Sequence, residues 1–318
     1  MRRRGLVLAA MLSVLMVAAA CAREEPTEPK AGGTKPAKSF APDSYMAQLQ
    51  TNGKIRIGVK YDIPRFGFLN PATSKVEGFD VDLGNLVAKR LGVPAEFSEA
   101  ISANRIPFLN EDKVDLIIST MTINDERKQQ IDFSVVYYLA RQRLLVKNDS
   151  PITDVKTLDS RKGKVCSASG STSEKNIRAA APSAEVVLQK TYSECYQLLR
   201  NAQVDAVTTD DVILTSLLSN DPANYKLTGS AFSQEPYGMG IKKGRVGFVD
   251  FVNDVIKDAK KDGTWVKLYD KWVAPLTKEK GTPPPDEVSA AGPTPASPAA
   301  TTSPTASPTG TTPSPTST

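Results

Sequence analysis

The sequence predicts an α/β protein of two lobes, each a mostly parallel sheet flanked by helices. Three observations carry this. Short apolar runs alternate with amphipathic stretches along the middle of the chain, the pattern of strands and crossover helices. That middle region, Asp43 to about Lys278, is roughly 235 residues, room for two lobes of ordinary size. A weak internal repeat aligns Leu109 and Val114-Asp115-Leu116 with Leu199 and Val204-Asp205-Ala206, each copy a helix end leading into a strand. Any α/β chain offers such matches by chance, so the repeat is support only. The expected boundaries are residues 43–140 with 235–278 for lobe 1 and 141–234 for lobe 2.

In chain order, Arg2, Arg3 and Arg4 precede an apolar run from Leu6 to Val17, which ends in Ala18, Ala19, Ala20 and Cys21. A run of about 12 residues is too short to span a bilayer and fits an export signal over residues 1–20. Small residues directly before a lone cysteine resemble the lipobox of bacterial lipoproteins, whose cysteine is diacylated. Cys21 would then anchor the protein to the outer face of the cell membrane; the alternatives are an ordinary secretory signal with an incidental cysteine, or an uncleaved anchor. Residues 21–42, rich in Pro, Lys, Glu and Gly without apolar periodicity, read as a tether.

Ile55, Ile57 and Val59 alternate along Lys54 to Val59, a strand. Phe79, Leu83, Leu86, Val87 and Leu91 recur at helical spacing, with Asp80 and Asp82 near the start, Lys89 and Arg90 near the end, and Gly92 as the stop. Val114 to Ser119, Gly163 to Cys166 and Asp205 to Thr208 read as buried strands. From Glu279 onward, 26 of 40 residues are Pro, Thr or Ser, and nothing after Glu287 is charged. Residues 279–318 are therefore expected to be a disordered tail, either an O-glycosylated stalk or a bare spacer.

Composition removes several kinds of chemistry. The chain has no histidine, which excludes Ser-His-Asp and Cys-His catalysis, histidine-bound zinc and imidazole proton shuttling. Without the three N-terminal arginines, 37 basic side chains face 35 acidic ones, a balance of +2 that is no footprint for nucleic acid. Cys166 and Cys195 are an even pair in an exported chain, and joining them would be worth roughly 3 kcal/mol in the chain-entropy model. A reactive thiol is the alternative, but no histidine is present to serve as its base. Two cysteines cannot build a zinc site alone, and no metal or other cofactor is expected.

In open α/β sheets, ligands bind beyond the carboxyl ends of the strands. Those ends carry Lys60, Thr120 to Arg127, Ser169 to Ser173, and Asp210. Gly170, Ser171 and Thr172 lie in a loop that enters a helix near Glu174, where free N–H groups and hydroxyls suit an anion. Read alone, such a loop is a plain turn with an N-cap; it is no phosphate-binding loop, because no Gly-Lys-Ser/Thr ending follows. The Arg127 guanidinium is a natural partner for a carboxylate, and Asp210 in the other lobe offers the opposite charge. A cleft between them would hold a zwitterion by both ends.

Gly78-Phe79-Asp80-Val81-Asp82-Leu83, with Val87-Ala88 and Leu91, resembles the signature of the family 3 extracellular solute-binding proteins, polar-amino-acid receptors of ABC importers with a two-lobed periplasmic-binding-protein fold. Met121 to Arg127, followed by Ile131 to Ser134 and Tyr137-Tyr138, is similar to a second block of that family, and so is Val204 to Asp210. The resemblance implies that Arg127 clamps the ligand α-carboxylate, helped by Thr122 and the amides of Gly170 to Thr172. It also implies that the Thr120 carbonyl, the Thr122 hydroxyl and Asp210 take the α-ammonium. Two positions depart from the family: Thr120 replaces a smaller residue, and Ile63 replaces an aromatic ligand cover.

For ligand choice, Lys60 stands where receptors for neutral or basic amino acids often carry aspartate. Ser102 to Pro107 resembles a block of acidic-amino-acid receptors whose serine and arginine, here Ser102 and Arg105, reach the side-chain carboxylate. The cysteine pair looks like that of actinobacterial glutamate-binding lipoproteins. Together these imply a monomeric receptor for glutamate or aspartate that serves an ABC permease. Lys60 paired with Asp62, and Arg105 as a solvated cation, are the competing readings. A sensor for a membrane signalling protein would share the same site. An enzyme resembling cyclohexadienyl dehydratase is the third reading, against which an ammonium-binding Asp210 counts.

Overall fold

A computed structural model describes residues 39–288 apart from Asn220. The expected export signal, Cys21, residues 22–38 of the expected tether and the segment beyond residue 288 lie outside the described residues. Lobe 1 starts with α1 (Tyr45–Thr51), whose first turn is capped by the Ser44 hydroxyl, then β1 (Ile55–Val59) and the small strands β2 (Asp62–Ile63), β3 (Gly67–Asn70) and β4 (Lys75–Glu77). It continues with α2 (Phe79–Leu91), β5 (Ala95–Glu99), α3 (Arg105–Asn110), β6 (Leu116–Ile117), α4 (Asp125–Lys128) and β7 (Ile131–Phe133). Lobe 2 comprises β8 (Tyr138–Lys147), α5 (Val155–Ser160), β9 (Lys164–Ala168), α6 (Thr172–Ala180), β10 (Glu185–Gln189), α7 (Tyr192–Arg200), β11 (Ala206–Asp210), α8 (Asp211–Leu218) and β12 (Tyr225–Tyr237). The chain then returns to lobe 1 through β13 (Gly240–Lys242), α9 (Val246–Lys261), α10 (Thr264–Trp272) and α11 (Ala274–Thr277).

The lobe 1 sheet has the order β5-β1-β6-β13-β7, and only β13 runs against the others. The lobe 2 sheet has the order β10-β9-β11-β8-β12, and only β8 is opposed. Each lobe is therefore mostly parallel, as the alternation of apolar runs predicts. The opposed strands have a common cause: β8 enters lobe 2 from the interlobe crossing, and β13 enters lobe 1 from the other. The α2 helix forms over its predicted span, with Phe79, Leu83, Val87 and Leu91 buried and Gly92 in the left-handed region at φ 84° as its stop. Val114 to Ser119 follows β1 through bonds at Asp115 and Ile118, but ladder geometry is confined to Leu116–Ile117. Beyond it, Thr120 turns to φ 44°, which ends the strand.

The lobes join at two short crossings, residues 134–137 and 238–239. The expected boundaries after residues 140 and 234 fall inside β8 and β12 instead, and Leu139 to Leu144 and Phe232 to Tyr237 are strand residues. Their alternating residues extend the lobe 2 sheet to the junction, where Tyr138 pairs with Tyr237. Around it gather Phe79, Tyr137, Tyr138, Tyr237 and Trp265, whose indole donates to the Tyr137 carbonyl at 2.8 Å.

The boundary expected at Glu279 needs correction, since residues 279–288 run back over lobe 1. The Val136 N–H donates to the Asp286 carbonyl at 2.9 Å, and Lys260 reaches the Asp286 carboxylate at 2.8 Å. Proline-rich composition suggests disorder, but Pro283, Pro284 and Pro285 arrive with φ already restricted, so ordering this short strap costs little entropy. Cys166 on β9 and Cys195 on α7 form a disulfide, with Cα atoms 5.4 Å apart at a sequence separation of 29.

Candidate functional site

Of the ten residues singled out as ligand contacts, Lys60, Thr122, Arg127, Gly170 and Thr172 make contacts from one lobe to the other. Lys60 follows β1, is 2% exposed, and donates from Nζ to Ser102 Oγ at 3.2 Å. Its ammonium stands 5.5 Å from the centre of the Tyr192 ring, which α7 supplies from lobe 2. Burial is the main force on Lys60 and lowers it from 10.5 to about 8. Arg105, at the start of α3, donates from Nε to the Ser102 carbonyl and from Nη1 to those of Ser119 and Thr120, at 3.2, 2.9 and 3.1 Å. Nη2 takes no part in these bonds. Arg105 is buried as the sequence reading required, not solvated, but most of its donors hold the ends of neighbouring segments.

Thr120 is fixed by Asp80, which the helix-start reading treated only as a dipole partner. Asp80 is fully buried; Oδ2 accepts the Thr120 N–H at 3.0 Å and Oδ1 accepts the Tyr137 hydroxyl at 3.0 Å. Burial raises Asp80 from 3.8 to about 7, with its hydrogen bonds and Lys60 opposing. The Thr120 carbonyl, expected to meet an ammonium, also accepts from Arg105, using one of its two lone pairs.

Arg127 sits in α4, which the Asn124 side chain caps. Its Nη1 donates to the Thr122 carbonyl at 2.8 Å and Nη2 to the Gly170 carbonyl of lobe 2 at 3.4 Å. Burial and the nearby Arg105 push it down to about 9, which leaves it charged at neutral pH. The loop from lobe 2 offers fewer amides than expected. Ser171 is the N-cap of α6, its hydroxyl accepting from the Glu174 N–H at 3.0 Å and donating to the Ala168 carbonyl. The Gly170 N–H donates to the Glu174 carboxylate at 3.1 Å and the Ser171 N–H to the Ala168 carbonyl. The amides that the first helical turn leaves over therefore begin at Thr172. Gly170 itself has φ 74°, and a Cβ there would lie 2.9 Å from the Ala103 Cα, so both conformation and the close approach of lobe 1 demand glycine.

Asp210 ends β11 and caps α8 by position only. Tyr237 donates its hydroxyl to Oδ2, whereas Oδ1 is buried and has no hydrogen-bond partner among the described residues. Burial, reinforced by Glu235, raises its pKa well above the carboxylate range. The Thr122 hydroxyl lies 3.3 Å from that of Thr172 across the cleft, and both donate to Glu235. The rims also meet: Asp62 accepts the Tyr192 and Ser193 N–H groups, Ser216 donates to the Pro64 carbonyl, and Lys175 pairs with Glu126. Asp62 is thus engaged with lobe 2 and makes no ion pair with Lys60 among the described residues. Tyr192 and Glu235 escaped sequence reasoning because nothing local marks them; Ile63, where an aromatic cover was missing, is fully buried in β2.

Two α/β lobes with short crossings, meeting around buried charges of both signs, define the class of two-lobed solute-binding proteins. Comparison with known proteins narrows the class. The profile of the bacterial extracellular solute-binding proteins, family 3, matches residues 55–275, and the chain belongs to that family. It is 38% identical over 272 residues to the ABC transporter glutamine-binding protein GlnH of Bacillus subtilis, covering 85% of this chain and 96% of that one. With the glutamine-binding protein of Geobacillus stearothermophilus it shares 43% over 242 residues, 75% and 91% of the two chains. With the glutamate-binding protein GluB of Corynebacterium glutamicum it shares 31% over 257 residues, 76% and 86%. An ancestral arginine-binding protein bound to glutamine superposes with a TM-score of 0.66 at 38% identity, over 70% of this chain and 98% of that one. The ancestral amino-acid-binding protein AncCDT-1, a precursor of cyclohexadienyl dehydratase, gives 0.67 at 33%, over 72% and 99%.

Proposed function

We propose that this chain is an extracytoplasmic receptor that binds an acidic amino acid, glutamate or aspartate, and delivers it to the permease of an ABC importer, with a lipidated Cys21 holding it at the membrane. The observation that carries the ligand choice is the pair Lys60 and Arg105. Both are buried, and neither makes an ion pair among the described residues. Their spare N–H groups ask for an acceptor, and a carboxylate, which only accepts and brings a negative charge, answers both needs. Arg127 and the Thr172 amide then suit the α-carboxylate, and Asp210 Oδ1 with the Thr122 hydroxyl suits the α-ammonium.

The relatives named for glutamine favour a second ligand, the amide, whose carbonyl would also accept from Lys60. Its NH₂ group needs an acceptor as well, which makes the donor-rich end of the cleft a poorer match. Calorimetric titration with glutamate, aspartate, glutamine, asparagine and arginine tests the reading. Glutamate or aspartate should bind most tightly and arginine not measurably; arginine as the best ligand would overturn the assignment, and glutamine as the best would transfer it to the amide.

A further inference from the structure

Glu235 has none of the roles assigned above, yet it joins both walls of the cleft. It lies on β12, is 2% exposed, and its carboxylate takes hydrogen bonds at both oxygens. Oε2 accepts from Thr122 Oγ1 of lobe 1 at 2.6 Å and from Thr172 Oγ1 of lobe 2 at 2.8 Å. Oε1 accepts from Ser233 Oγ at 2.6 Å and from Asn176 Nδ2 at 2.8 Å. A carboxylate can only accept, so each threonine must donate its single hydroxyl proton. With both protons committed, the 3.3 Å contact between the two hydroxyls carries none. What either hydroxyl then shows the cleft is lone pairs.

We propose that Glu235 is a positioning residue for ligand selection: by holding the protons of Thr122 and Thr172 it makes both hydroxyls acceptors, so the site selects a solute carrying an α-ammonium over the same solute without one. This rests on the receptor reading above and concerns the same site. It adds a group that need not touch the ligand but sets the polarity of two that do. Asp210 Oδ1, unpartnered among the described residues, supplies the charge once an ammonium beside it favours the ionised form, and the threonines decide which hydrogen-bonding sense their part of the wall presents.

Glu235→Gln tests this because the network dictates how the new amide must sit. Asn176 Nδ2 also donates to Gln142 Oε1, and Gln142 Nε2 donates to the Ser173 carbonyl and to Thr208, so that side remains a donor. The amide oxygen must face Asn176 and Ser233, and its NH₂ must face the threonines. Their protons are then pushed toward the cleft, and acceptors become donors. The assay is calorimetric titration of L-glutamate against glutarate and of L-glutamine against glutaramate, each pair differing only in the α-ammonium. In E235Q the preference for the amino member should fall roughly ten- to hundredfold, the scale of a hydrogen bond to a charged group. Thr172→Val, which keeps the shape and loses one acceptor, should move the ratio in the same direction, and it decides the matter if E235Q does not fold. Equal loss for all four compounds, or an unchanged ratio in a folded variant, overturns the inference alone. Failure of the unsubstituted protein to bind either amino acid overturns the receptor reading and this inference with it.

Discussion

Lys60→Met separates affinity from stability, because burial makes Lys60 a burden on folding while the proposed ligand assignment makes it an asset in binding. Methionine has nearly the same length and no charge. In the folded protein the Lys60 ammonium is lowered from 10.5 to about 8, chiefly by burial. For a group this buried, that shift is about 3 kcal/mol against the folded state at neutral pH, where lysine is charged in both states. The unfolded chain binds more protons than the folded one between about 8 and 10.5, so stability rises with pH across that window. Removing the charge should return most of this cost, less about 1 kcal/mol for the lost bond to Ser102 Oγ. The net expectation for the ligand-free protein at neutral pH is a gain of about 2 kcal/mol.

Binding should move the other way. Truncating one side of a buried charge pair typically costs about 2 to 5 kcal/mol, whereas a charged donor on a neutral carbonyl is worth about 1.5 to 3 kcal/mol. Glutamate should therefore suffer more than glutamine, and the ratio of their affinities should fall about tenfold. Urea unfolding without ligand measures the first effect, and calorimetric titration with both amino acids the second. A K60M protein that is less stable than its parent while keeping the glutamate-to-glutamine ratio would refute the reasoning: Lys60 would then be a structural donor to Ser102 and no anchor for a side-chain carboxylate.

Arg127→Ala should weaken amino-acid binding by about 2 to 5 kcal/mol while circular dichroism stays unchanged; near-parental affinity would show that its bonds to Thr122 and Gly170 are its whole role. Reduction of the Cys166–Cys195 bond should cost about 3 kcal/mol and lower the melting temperature, and free thiols in protein from its natural host, found by alkylation and mass spectrometry, would contradict the bond. Asp80 holds a proton in the folded state between 3.8 and about 7 that the unfolded chain has lost, so it makes stability fall as pH rises through that window. Asp80→Asn should flatten that part of the pH profile of urea unfolding, while lowering stability at every pH because one oxygen cannot satisfy both Thr120 and Tyr137; parallel profiles would remove Asp80 as the cause.

What could be read from the sequence were features whose signal is local. The α2 helix carries its own spacing, charge bias and glycine stop, and its span agrees with the structure. Lys60, Arg127 and Asp210 are legible as candidates because each sits just past an apolar run, where open sheets present their ligands. Features that depend on a distant partner were not legible. Gly170 to Thr172 show in sequence that a loop enters a helix, but only the fold reveals that Glu174 takes the Gly170 N–H and that Ser171 spends its hydroxyl on the cap. Asp80 looks like any acid in a first helical turn until Thr120 and Tyr137 arrive from far along the chain. Glu235 sits in a strand with no periodicity to mark it, and its importance comes from Thr122 and Thr172, more than sixty positions away at the nearer.

The buried charges follow one rule that links fold to closure. Lys60, Arg105 and Arg127 face Asp80, Asp210 and Glu235, all nearly inaccessible to water, yet none of these six makes an ion pair with another among the described residues. Each is held instead by hydroxyls, main-chain groups or tyrosines. Around the three cations, hydrogen bonds of this kind orient a charge without neutralising it, so its field persists in a medium of low dielectric, whereas burial favours the protonated acid at Asp80 and Asp210 until a cation comes near. Direct ion pairs would stabilise the protein and quench the attraction for a charged solute. A zwitterion with a third charge on its side chain supplies the missing counter-charges in one molecule, with groups from both lobes satisfied at once. Only an interaction stronger in the closed arrangement than in the open one can drive the lobes together, and a solute that bridges Arg127 on one side to Asp210 on the other has that property. On this argument the energetic penalty of the buried charges is what couples ligand recognition to closure.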